Sequence, residues 1–77
     1  MNKERRKRIE EVLIKIGDLQ EEVQSLRDEE QEAFDNMPEG FQNSERGEKM
    51  SSAIDALDSA DGDLDNVQSG LEEIVSG

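Results

Sequence analysis

Apolar residues in the first half of the chain stand at Ile9, Val12, Ile16, Leu19, Val23 and Leu26 and, after Glu30, at Ala33. The steps alternate between three and four, which gathers them on one stripe of an α-helix, the a and d positions of a heptad. Leu13 and Phe34 stand beside that stripe at e, and Ile14 lies away from it. The second half repeats the design with Met50, Ala53, Leu57, Ala60, Leu64, Val67, Leu71 and Ile74, and with Ile54 and Val75 at e. Two sustained registers of this kind predict an all-α chain of two long helices.

The stretch between them is punctuated. Pro38 disfavours helix at Met37, so the first helix is expected over about 3–36. Gly40 and Asn43 add loop character, and the segment PEGFQ suits a single helical turn with proline at its start. Ser44 is a natural N-cap, with Glu45 and Glu48 near the positive end of the following helix dipole. The loop is expected over about 37–44 and the second helix over about 45–75. A short loop between helices of equal length predicts a two-helix antiparallel hairpin, coiled-coil-like, forming a single domain. That topology is expected to set Lys3, Arg5, Arg6 and Arg8 against Glu72, Glu73 and the negative end of the second helix. Two helices share only one seam, while Leu13, Ile54 and Val75 widen the apolar stripe beyond a and d. A homodimer or higher oligomer, two hairpins in a four-helix bundle, would cover it. The residues expected to carry self-association are Ile9, Val12, Leu13, Ile16, Leu19, Ile54, Leu57 and Leu64.

Composition narrows the chemistry. The 77 residues contain no cysteine and no histidine, which removes disulfides, thiolate metal sites and the commonest general base. Without Tyr or Trp, and with Phe34 and Phe41 as the two aromatics, stacking on nucleic-acid bases is poorly supplied. The net charge of −12 is unevenly spread: residues 1–8 hold five Lys/Arg against one Glu, and the rest hold four Lys/Arg against twenty Asp/Glu. A body this acidic repels nucleic acid and anionic membrane, so neither direct nucleic-acid binding nor membrane association is expected, and a protein partner should be basic. Acidity that merely keeps the chain soluble is the plainer reading. The basic start runs into an amphipathic stretch rather than an apolar one, and no apolar run is long enough for a bilayer. A cytoplasmic protein is the expectation.

Residues 29–50, EEQEAFDNMPEGFQNSERGEKM, carry a resemblance. They resemble a segment of small acidic proteins encoded by bacteriophages and related mobile elements, in which A-F-D-N-x-P-E-x-x-Q-x-S-E-R-G-E joins two Glu-rich heptad helices. The matching positions are Ala33 to Asn36, Pro38, Glu39, Gln42 and Ser44 to Glu48. The resemblance implies a helical hairpin in a phage or mobile-element setting, acting in the host cytoplasm, and it implies no activity. The second helix departs from the pattern by using Asp, Ser and Gly where Glu and Ala would be expected.

Four constellations are candidates for function. Catalysis is not expected: serines have no histidine to activate them, no phosphate loop or dinucleotide fingerprint occurs, and a hairpin encloses no carboxylate whose pKa would be shifted. No cofactor is expected. Asp61, Asp63, Asp65 and Glu72 occupy positions 1, 3, 5 and 12 of a calcium-loop frame. Asn66 stands where that frame needs glycine, and the heptad register runs through it unbroken. Calcium binding is therefore the least favoured alternative. Asp55, Asp58, Asp61, Asp63 and Asp65 form an acidic face in a helix where Glu would be the better helix former. A solvated face is the bland reading; a surface for a basic partner is the functional one. Phe41 and Arg46 stand near the loop, either folded back with Met37 and Phe34 to cap the bundle end or exposed as binding anchors. The expected function is a non-enzymatic acidic protein that binds, and inhibits, a host nucleic-acid-handling protein by charge mimicry. The alternative is a self-assembling structural or ligand-sequestering helical bundle.

Overall fold

The computed structural model describes residues 1–77 as three helices and no strand: α1 (Lys3–Asp35), α2 (Glu39–Gln42) and α3 (Glu45–Ser76). α1 and α3 lie side by side in a rod 58 Å long and 15 × 14 Å in cross-section. α1 begins at Asn2, whose side-chain oxygen accepts from the Arg5 amide at 2.8 Å and satisfies one of the unpaired donors of the first turn. It stops at Asn36, two residues before Pro38. The turn α2 is closed by the Phe41 amide donating to the Pro38 carbonyl at 2.8 Å. Ser44 then caps α3: its hydroxyl accepts from the Gly47 amide at 3.3 Å and donates to the Phe41 carbonyl.

The loop is held by polar groups rather than by bulk. The Gln42 amide donates to the carbonyls of Phe34, at 3.2 Å, and Met37, at 3.3 Å. The Phe34 carbonyl lies in the last turn of α1, where acceptors run out of helical partners, and the Met37 carbonyl lies just beyond it. Gly47 is buried beneath this turn. A Cβ there would come within 2.7 Å of the Phe41 carbonyl oxygen and 2.6 Å of the Gln42 carbonyl carbon, so the close approach of α2 to α3 requires glycine.

The two long helices do not meet through a and d. Ile9, Ile16 and Val23 of the a row face Met50, Leu57, Leu64 and Leu71, as expected, but the second inward row on each helix is e. On α1 it comprises Leu13, Gln20, Arg27 and Phe34, and on α3 Ile54, Asp61, Gln68 and Val75, of which Gln20 and Ile54 are buried and the others half-buried. The d rows are turned away: Val12, Leu19, Leu26 and Ala33 on α1, and Val67 and Ile74 on α3, are exposed, with Ala53 and Ala60 half-buried. The physical reason is width. The apolar stripe of each helix spans three rows, d, a and e, and one neighbouring helix covers about two. The bulky ends of the e rows, Leu13 with Phe34 and Ile54 with Val75, are enclosed together with the glycine at 47, and the d rows are left over.

Candidate interaction surface

The side of the rod closed by the e rows is polar along its middle. The Gln20 amide donates to the Asp65 carboxylate at 2.6 Å and to the Asp61 carboxylate at 3.4 Å. The Gln24 amide donates to Asp61 at 3.1 Å, and the Arg27 guanidinium pairs with Asp58 at 2.9 Å. Each step up α1 moves the partner the same distance down α3, which fixes the antiparallel register. The hydrogen bond it donates to Asp58, and then the charge of that carboxylate, raise the Arg27 guanidinium above its ordinary pKa. Three of the five carboxylates expected to form an outward acidic face, Asp58, Asp61 and Asp65, are therefore engaged by the chain's own donors. Asp55 and Asp63 are exposed and form no ion pair.

Continued to its end, the same register sets Gly77 opposite Arg8. The first turns of α1 have no helix beside them. The expected pairing of Lys3, Arg5, Arg6 and Arg8 with Glu72 and Glu73 is not formed: no ion pair joins them, because the basic cluster lies past the carboxylates along the rod. The Arg6 Nε is shielded without an acceptor. The calcium frame is uninterrupted helix within α3. Asp61 and Asp65 lie one turn apart and share the Gln20 amide, Asp63 stands on another side of the helix, and no group of three acidic residues is placed to hold a metal ion.

The opposite side of the rod is apolar and open. Because the e rows of both helices meet on one side, the d rows of both fall together on the other. Val12, Leu19 and Leu26 lie beside Ile74, Val67 and Ala60 in a two-helix face. Adjacent residues show the inversion: Gln20 is 9 % exposed and Leu19 is 50 % exposed. Of the residues expected to carry self-association, Val12 and Leu19 belong to this open face, whereas Ile9, Leu13, Ile16, Ile54, Leu57 and Leu64 line the interface between α1 and α3.

At the loop end the open face continues into a concavity of 530 Å³ lined by Ala33, Met37, Pro38, Phe41, Arg46 and Met50, among others. Phe41 is 60 % exposed. It does not fold back beneath the helix ends; it forms one wall of this hollow, with Arg46 on another. The two loop residues singled out from the sequence thus share one site, and that site lies on the apolar side.

The residues that sequence reasoning missed are Gln20, Gln24 and Arg27. A signal was present: Gln20 and Arg27 stand seven apart at e, between the apolar Leu13 and Phe34 of the same row. No helix is long and apolar enough to cross a membrane. No protein-family model matches this chain, and neither does any curated protein or solved structure.

Proposed function

We propose that this chain is a non-enzymatic interaction protein that works as a self-associated helical bundle, with the d-row face as its assembly surface. The reading rests on the inversion at Leu19 and Gln20. Burying a glutamine while leaving its leucine neighbour in water reverses the order that burial energetics selects, at a cost of about 25 cal/mol for each Å² of apolar surface left wet. Assembly of hairpins through Val12, Leu19, Leu26, Val67 and Ile74 removes that cost and completes a four-helix arrangement. Leu19→Asp tests it. Leu19 lies outside the buried seam and is half exposed, so helicity at high concentration is retained while sedimentation equilibrium shifts from dimer to monomer. A wild-type chain that sediments as a monomer at tens of micromolar would sink the reading.

A second reading is supported by a different observation. Asp55 and Asp63 are exposed and uncompensated on a body whose charge balance beyond residue 8 is four cations against twenty anions. In an assembled bundle the engaged carboxylates Asp58, Asp61 and Asp65 also face outward, on the side away from the d rows. Such a rod presents carboxylates to a basic protein, and a nucleic-acid-handling protein of a phage's host is the partner class this charge suits. The loop hollow at Phe41 and Arg46 is the competing contact. Asp55→Lys with Asp63→Lys should abolish capture of a basic partner at low salt and leave the oligomer intact. Capture that survives this change and fails with Phe41→Ala moves the site to the loop.

A further inference from the structure

We infer that the occupant of the open face is a second copy of this chain, running antiparallel, with α1 packed on α1 and α3 on α3. The inference rests on the assembly reading above and adds its geometry. The charge of α1 carries it. Over residues 3–15 six Lys/Arg outnumber Glu4, Glu10 and Glu11, whereas residues 16–35 hold eight Asp/Glu with Arg27 the one cation among them. This polarity opposes the helix's own dipole, which favours anions at its start and cations at its end. It is the polarity that suits the helix to a reversed copy of itself.

The rows place these charges where a second copy would meet them. One position outward from Val12, Leu19 and Leu26 stand Arg8, Lys15, Glu22 and Glu29, seven apart, all exposed and none in an ion pair within the chain. The face holds two hollows along α1. One, of 360 Å³, is lined by Arg5, Arg8 and Lys15 against a single acid, Glu11, with Val12 and its neighbours, and the other, of 290 Å³, by Glu22, Ser25, Leu26 and Glu29. A two-fold axis at Leu19 lays the basic hollow of each copy over the acidic hollow of the other. Lys15 then faces Glu22 of the second copy and Arg8 faces Glu29, along the rim of a Val12–Leu26 and Leu19–Leu19 core. The same axis carries the unaccompanied first turns of α1 onto the loop-end hollow of the second copy. The competing arrangement, α1 over α3, offers none of this. It sets Glu22 beside Asp63 and Lys15 beside Gly70, one repulsion and no attraction.

The chain has no cysteine, so single introduced thiols report the arrangement directly. Leu19→Cys should form an interchain disulfide under mild oxidation, whereas Ile14→Cys, on the outer surface, should not. Lys15→Glu and Glu22→Lys should each weaken the dimer about tenfold, since each turns two symmetry-related attractions into repulsions. The double substitution should restore it. A dimer in which Leu19→Cys cross-links only when mixed with Val67→Cys overturns the antiparallel arrangement while leaving self-association standing. So does a double charge variant weaker than either single one. A monomeric wild type at tens of micromolar overturns both readings together.

Discussion

The two long sides of this rod are built from the same heptads and meet opposite fates. On one side the e rows bring Gln20 and Arg27 inward, and these, with the exposed Gln24 beside them, reach Asp65, Asp58 and Asp61 across the helix pair. On the other, the d rows present Val12, Leu19, Leu26, Val67 and Ile74 to solvent. Polarity alone would have assigned them the other way round. A single pair of helices decides its mating face by shape and by what each row does along its whole length. The e rows combine large apolar ends with a donor–acceptor ladder between them, which gives Gln20 and Arg27 partners where the two helices cover them. The d rows of α1 and α3 are apolar and stand in water, at the cost that exposed apolar surface carries. An interaction surface can thus be read as the row that would have made the better core and was left outside.

The largest test of this contrast is on the closed side. Ile54 is 6 % exposed, buried between the two helices toward their loop end. Ile54→Ala should cost about 2–5 kcal/mol, enough to unfold a hairpin of this size at ordinary temperature. A thermal melt followed by circular dichroism measures it. A loss well below that range would mean that the closed side is not where the stability lies. Leu19→Asp, by contrast, should lower the melt only through loss of assembly, so its effect should fade as the protein is diluted.

Gln20→Leu sharpens the comparison further. It makes both rows apolar at that level and removes the hydrogen bond to the exposed Asp65, which water can replace. The hairpin should gain about 1 kcal/mol from the added burial. A loss of that size instead would show that the ladder, rather than packing, selects the e rows.

Arg27→Ala should have the smallest effect, since the pair with Asp58 is open to solvent and screened. The sign of its pH dependence is fixed. A cation whose pKa is raised by folding contributes at every pH below its ordinary value, and the contribution is lost only as pH rises through the raised one. The guanidinium therefore gives no pH dependence between about pH 5 and 9. The difference in melting temperature between Arg27→Ala and wild type should be small at neutral pH and should vanish in salt.

The amino-acid sequence by itself determined that the chain is helical, that it turns at Pro38, and that Ser44 starts the second long helix. Those features are local: an apolar period, a residue without an amide hydrogen, a hydroxyl able to cap. It also determined that three apolar rows exist where one neighbouring helix can cover two. Which two rows are covered was decided only by the tertiary structure, because d and e flank a symmetrically and periodicity cannot choose between them. The choice turned on contacts between residues far apart in the chain: Gln20 with Asp65, Arg27 with Asp58, and the Gly47 backbone beneath the Phe41 and Gln42 carbonyls. The same choice drew Asp58, Asp61 and Asp65 into the hairpin's own hydrogen bonds and turned Leu19 out to solvent. Side-chain reach across a helix pair is set by axial register and rotation, and those become defined only when both helices are in place.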